Sequence, residues 1–250
     1  MTTEQVDKAI AAGAKFIISP GFNPKVVSYC HEKGIPICPG CFTPSDIDQA
    51  VQMGLEAVKI FPAEQAGGLD YIKALSGPYP SMSYIPTGGI STQNIARYIS
   101  FEKVIACGGS WMVKAELIKA GDFDKITELC REAIFSLLGF EMVHMGINTE
   151  SEDAALNTVN RLSSLFGFET KLAPAIYSGD RIEIIKPPFY GKNGHIGIAT
   201  NNIFKAKAYF ERQGIEFIPE SIKTDEKGRM RLIYFKDEVA GFAIHLVQRN

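Results

Sequence analysis

The sequence predicts an α/β fold followed by a smaller α+β domain made of two copies of one module. Three observations carry this. From residue 2 to about 137, short, nearly continuous apolar strands alternate with amphipathic helices, the pattern of a parallel sheet covered by helices. After Leu138-Gly139 the pattern changes to strand, helix, then paired strands. Val143-His144-Met145-Gly146-Ile147 then returns as Gly194-His195-Ile196-Gly197-Ile198, 51 residues on. An internal repeat of that length means two stacked modules. Domains are expected at 1–138 and 141–250.

In the first part, Thr2 and Gln5 are spaced as a capping box for a helix with Val6, Ala9 and Ile10 on its apolar face, ending at Gly13. Phe16 to Ser19 is a strand stopped by Pro20-Gly21, Pro24 to Lys33 a helix ended by Gly34, and Ile35 to Cys38 a strand closed by Pro39-Gly40. Thr43 caps a helix with Pro44 at its first position. Strands are then expected at Ala57–Phe61, Tyr84–Pro86 and Lys103–Cys107, and helices at 69–75, 92–99 and 122–137. In the second part, strands are expected at 141–147, 175–177, 181–186, 195–199, 231–235 and 242–247. Helices are expected at 153–166 and 204–213, with a connector through Pro187-Pro188 and Gly191 to Gly194.

Composition narrows the function classes. The 250 residues carry 26 Lys+Arg and 28 Asp+Glu, a formal net charge of −2. That balance gives no electrostatic reason to expect nucleic acid or an anionic membrane as partner. No apolar run reaches membrane-spanning length and the amino terminus lacks a signal pattern. Five cysteines, Cys30, Cys38, Cys41, Cys107 and Cys130, form an odd set without metal-type pairing, which suits reduced thiols in a cytoplasmic protein. Cys38-Pro-Gly-Cys41 has the spacing of a redox motif, but Cys38 ends an apolar strand and the context is unlike thioredoxin.

The chemistry centres on Lys59, a cation between Val58 and Ile60 in an otherwise apolar strand. Burying an ammonium without a partner is expensive, and the usual escape is a lowered pKa. The resulting neutral amine attacks ketones to form a Schiff base. The alternative is a strand-edge lysine that snorkels to water. In parallel sheets the chemistry lies at the carboxyl ends of the strands. Those ends read Ser19-Pro20-Gly21, Pro39-Gly40, Lys59, Thr87-Gly88-Gly89 and Gly108-Gly109-Ser110. Each Gly-Gly pair is either a tight turn or a set of backbone N–H groups for an anion, and each stands beside a hydroxyl. A ketone-trapping lysine with an anion cradle points to a Schiff-base aldolase.

These residues also carry a family resemblance. Residues 2–137 resemble the later part of the 2-keto-3-deoxy-6-phosphogluconate / 4-hydroxy-2-oxoglutarate aldolase family. The likeness runs through Ile18-Ser19-Pro20-Gly21, Ile37-Cys38-Pro39-Gly40, Val58-Lys59-Ile60-Phe61-Pro62-Ala63-Glu64, Gly67-Gly68, Pro86-Thr87-Gly88-Gly89-Ile90 and Gly108-Gly109-Ser110-Trp111. It implies a (β/α) TIM-type barrel, present here as a partial barrel of five parallel strands. It implies Lys59 as the Schiff-base lysine, with Phe61 and Thr87 lining a pyruvyl pocket. Gly88, Gly89 and Ser110 would hold a phosphate or distal carboxylate, and Pro20 and Gly109 are further binding positions. The implied reactions cleave 2-keto-3-deoxy-6-phosphogluconate to pyruvate and glyceraldehyde 3-phosphate, or 4-hydroxy-2-oxoglutarate to pyruvate and glyoxylate. No cofactor is needed, the substrate is a small 2-keto acid, and the expected assembly is a homo-oligomer, a trimer in the family. The family barrel has eight strands; the first three units, with a general-base glutamate and a carboxylate-binding arginine, have no counterpart here. Met1 is then internal to a longer product, or the chain is a fragment, and slow turnover is expected.

Residues 141–250 resemble the vicinal-oxygen-chelate (glyoxalase-like) fold through the repeated His-x-Gly-Ile strand and its following helix. By that resemblance the ligand positions of its paired βαβββ modules fall on His144, Glu183, His195 and His245, suited to a divalent metal such as zinc, nickel, cobalt or iron. His245 stands where glutamate is commoner. The alternative is that each histidine packs between the modules. A metal-dependent glyoxalase-like or dioxygenase-like activity, or small-molecule binding, is the second function carried forward.

Overall fold

A computed structural model describes residues 1–172, 175–186 and 188–249. Pro187 of the expected connector and Asn250 at the end of the second expected domain lie outside the described residues. The chain divides into two compact units, Met1–Leu137 and Leu138–Asn250. No helix among the described residues is long and apolar enough to cross a membrane.

In the first unit the elements run α1 (Thr3–Ala11), β1 (Ile17–Ile18), α2 (Pro24–Glu32), β2 (Ile37–Cys38), β3 (Gly40–Cys41), α3 (Pro44–Gln52), β4 (Ala57–Ile60), α4 (Gly68–Ser76), β5 (Ser83–Pro86), α5 (Ile95–Ile99), α6 (Ala115–Ala120) and α7 (Phe123–Leu138). Both expected caps form: Thr2 with Gln5 makes a capping box for α1, and Thr43 with Asp46 makes one for α3. The strand expected to end at Cys38 continues past Pro39, which has no N–H for a ladder. Its carbonyl accepts from the Lys59 N–H at 2.9 Å. All pairings are parallel: β1 with β2, and β3 with β4 with β5. The segment expected as the fifth strand adds only the bridges Tyr84↔Val104 and Thr87↔Gly108, also parallel. Helix α6 is an addition, six residues long and too short to declare a period in the sequence.

One face of this sheet is packed and the other is not. Val58, Ile60, Ile47, Ala50, Ile72 and Met82 are fully buried with the helices. Alternation along β4 sends Lys59 and Phe61 the other way. Phe61 is 39% exposed there, and Phe16 and Ile18, before and on β1 of the separate two-stranded sheet β1-β2, are 59% and 40% exposed.

In the second unit the elements are β6 (Glu141–Asn148), α8 (Glu152–Phe166), β7 (Thr170–Lys171), β8 (Ile176–Ser178), β9 (Ile182–Ile185), β10 (Gly194–Thr200), α9 (Ile203–Glu211), β11 (Phe217–Thr224), β12 (Met230–Val239) and β13 (Phe242–Gln248). They form one eight-stranded sheet in the order β11-β12-β13-β10-β6-β9-β8-β7. Each half is βαβββ: β6 pairs in parallel with β9, and β10 in parallel with β13. The halves meet antiparallel at β6 and β10. Helix α8 buries Ala155 and Val159 against Ile176 and Ile184. The outermost strands, β7 and β11, were not expected from the sequence. The first is two residues long, and the second contains Pro219, which an edge position tolerates.

Candidate functional site

Two places concentrate chemistry, one in each unit. In the first, Lys59 sits on β4, the middle strand of β3-β4-β5, half-buried and opposite Gly40 and Ile85 in register. The strand-edge alternative is therefore excluded. Burial lowers the Lys59 pKa, and the nearby Cys38 opposes part of that shift. The ammonium position over the Phe61 ring, 4.5 Å from its centroid, also favours the charged form, by about 0.5–1 kcal/mol at an exposed ring. Burial wins, and the amine is easier to deprotonate than that of a surface lysine.

Lys59, Phe61, Thr87, Gly88, Gly89, Gly109 and Ser110 line one pocket of about 720 Å³. Pro20 is outside its lining, exposed at the end of β1. Its carbonyl packs where a side chain on Gly40 would begin, 2.0 Å from an ideal Cβ there. Gly88 and Gly89 take φ of +95° and +77°, and Asn94 Nδ2 donates to the Gly89 carbonyl at 2.9 Å. Trp111, the single tryptophan, folds over Gly109, where a Cβ would meet its ring at 1.7 Å. Among the described residues, no carboxylate, histidine or arginine lines this pocket. Glu64, five residues beyond Lys59, packs its stem on Gly89 and accepts the Tyr98 hydroxyl. The Cys38 and Cys41 thiols are raised by burial to about 11 and about 12, which suits inert thiols.

In the second unit, β6, β9, β10 and β13 carry His144, Glu183, His195 and His245 to one cluster. His144 Nε2 lies 3.1 Å from His195 Nε2 and 3.1 Å from His245 Nε2. Glu183 Oε2 is 3.4 Å from His195 Nε2. The three histidines offer ligand atoms all within 4.8 Å of one another. His195 and His245 are only 4% and 1% exposed. A single imidazole nitrogen either donates or accepts, so His144 Nε2 can satisfy one of its two neighbours and not both. A cation accepting three lone pairs removes that conflict. Ligands about 2.0–2.1 Å from a metal stand roughly 3.0–3.4 Å apart, which these spacings match. Burial first, then the neighbouring imidazoles, lowers the His144 pKa and takes His245 down to about 3. The Glu183 carboxyl is lowered chiefly by its hydrogen bond with His195. His144, His245 and Glu183 are thus shifted towards the unprotonated form a metal needs.

The sequence reading overlooked two glycines. Gly197 lies in register between His144 and His245, and Gly146 between His195 and Glu183. A Cβ on Gly197 would lie 2.4 Å from the His144 ring, and one on Gly146 would lie 2.3 Å from the His195 ring. Each copy of His-x-Gly thus supplies one imidazole and the space for the other copy's imidazole. The repeat itself was the signal.

Comparison with known proteins places the first unit. The family model "KDPG and KHG aldolase" matches residues 1–129. The 2-dehydro-3-deoxy-phosphogluconate aldolase of Treponema pallidum is 47% identical over 134 residues, covering 54% of this chain and 64% of the relative. The KHG/KDPG aldolase of Escherichia coli K12 is 40% identical, covering 54% and 63%. A solved KDPG aldolase from Legionella pneumophila, with pyruvate captured as a covalent carbinolamine, is 39% identical, covering 52% of this chain and 63% of that one, with a TM-score of 0.49. The chain spans less than two thirds of the length of the curated relatives it matches.

Proposed function

The chain belongs to the KDPG and KHG aldolase family through residues 1–129, and from that premise we propose that Lys59 is a Schiff-base lysine acting on a 2-keto acid. The observation that carries the reading is an amine on a central strand, lowered in pKa by burial and open to a pocket that also holds the glycine cradle. The neutral amine adds to the C2 carbonyl, loss of water gives an imine, and the protonated imine takes the electron pair released when the C3–C4 bond breaks. Thr87 and Phe61 border the reacting carbons. The amides around Gly88, Gly89 and Ser110 face the phosphate of 2-keto-3-deoxy-6-phosphogluconate or the distal carboxylate of 4-hydroxy-2-oxoglutarate.

Cleavage also needs a base for the C4 hydroxyl, help worth about 10² to 10⁴ in rate. The pocket lining contains none among the described residues. A polypeptide of these 250 residues is therefore expected to form the imine faster than it completes turnover. The test is pyruvate with borohydride followed by peptide mapping, with Trp111 fluorescence as an independent report of binding. One reduced adduct on Lys59 supports the reading. Adducts scattered over surface lysines overturn it.

We propose a second activity for residues 141–250, favoured by the convergence of three imidazoles and Glu183. In this reading the paired βαβββ modules form a vicinal-oxygen-chelate domain, and His144, His195, His245 and Glu183 hold a divalent transition metal. A bound ion of that kind supplies Lewis acidity to a ligand oxygen. The chain's own residues fix the donor set and shield it within the sheet, and burial favours the neutral form of His144 and His245. Metal analysis of purified protein tests this: near-stoichiometric zinc, nickel, cobalt or iron is expected. Protein that neither retains nor takes up any of them, with unchanged stability on their addition, overturns it in favour of packing.

A further inference from the structure

The histidine cluster opens on a cavity of about 460 Å³ lined by both apolar and charged residues. The apolar part of the lining includes Ile185, Leu232 and two aromatic rings, Phe189 and Tyr234. The Tyr234 ring lies 4.8 Å from His245, 4.7 Å from Tyr190 and 6.0 Å from Phe189, centroid to centroid. This line of rings runs from the cluster towards the exposed Phe189. Among the described lining residues stand three charged ones. Glu183 is engaged by His195, and Lys186 is paired with Glu152. Lys223, on β11, also lines the cavity and takes part in none of the ion pairs among the described residues.

An uncompensated cation beside an aromatic wall selects for negative charge at one end of a ligand and a flat apolar body at the other. We infer that this pocket takes a small organic anion with an aromatic or otherwise flat body, its acidic group held by Lys223 and its body lying on Tyr234 and Phe189. The inference rests on the metal reading only for a second anchor, an oxygen of the ligand directed at the histidine cluster. With a divalent cation in place the cavity carries a further excess of positive charge, which strengthens the preference.

The test uses the full chain, metal-free and zinc-loaded, with phenylphosphonate and benzoate as probes and benzyl alcohol as the uncharged control, measured by ligand-observed NMR and calorimetry. Lys223 is exposed, so Lys223→Gln leaves the fold intact. Both anions are expected to bind better than benzyl alcohol, and Lys223→Gln is expected to weaken them at least about tenfold in both forms. Equal binding of the neutral control, anion binding indifferent to Lys223→Gln, or no binding of either anion overturns the inference. Zinc content, measured separately, judges the metal reading. Lys223-dependent binding in protein that never takes up zinc sinks that reading and leaves this one standing. Zinc uptake without anion preference does the reverse.

Discussion

Lys59 and the His144 cluster both set ionisable side chains on strands among apolar neighbours, yet they solve different problems. Lys59 works alone. It stands partly buried on a middle strand, over one aromatic ring, and Phe16 and Ile18, which line its pocket, stay substantially exposed. The histidines work as a group. Four strands carry them, and two glycines in register make the room they need. In the proposed reading a single tuned amine suffices in an open setting, because the covalent chemistry assigned to it needs one atom in place. The proposed polydentate site would tolerate no such looseness, since each donor would have to meet the same point.

The sharpest way to break this comparison is to remove each actor. Lys59→Met should leave no borohydride-trapped pyruvate on the chain, read by mass spectrometry; undiminished adduct on other lysines would mean the amine is not special. His144→Ala combined with His195→Ala should abolish metal retention, measured by elemental analysis after dialysis. Wild-type metal content in that variant would return the histidines to a packing role.

A subtler test keeps every ligand and removes only space. Gly197→Ala puts a methyl against the His144 ring, and should lower metal affinity by about 10- to 100-fold, as loss of a supporting residue does. Competition with a chromophoric chelator reads this directly, and unchanged affinity would show that the ring has room to move. The Lys59 amine offers a pH test with a definite sign. Because burial lowers its pKa, its neutral fraction at any pH below the midpoint exceeds that of a surface lysine, whose pKa is about 10.4. The rate of pyruvate trapping should therefore rise and level off at lower pH than for exposed lysines of the same protein. A profile matching theirs would contradict the shift. The smallest effect is expected for Glu64→Gln: with its carboxylate turned to Tyr98, imine formation should stay within about twofold of the parent.

Much of this was legible before any coordinates. The capping boxes at Thr2 and Thr43 formed because they depend on residues three apart, a purely local matter. The helix–strand alternation followed from periodicity, and the departures fell where local signal is thin. The fifth strand of the first unit shrank to two bridges, α6 was too short to show a period, and β11 was hidden by Pro219 at an edge. Lys59 stood out because a lysine amid β-branched residues is costly wherever the strand lies.

The sequence by itself determined that Lys59 interrupts an apolar strand, that a glycine–hydroxyl pair follows each of two strand ends, and that His-x-Gly-Ile occurs twice. These are facts of order and composition, and short-range sterics translate them into strands, turns and caps. Only the tertiary structure decided that β4 is central rather than an edge, that Pro20 stays outside the pocket lining, and that Glu64 turns to Tyr98. It alone brought His144 within 3.1 Å of His195 and His245. Residues 51 and 101 positions apart meet through strand register, and register is fixed by pairing between distant segments, which no window along the chain contains.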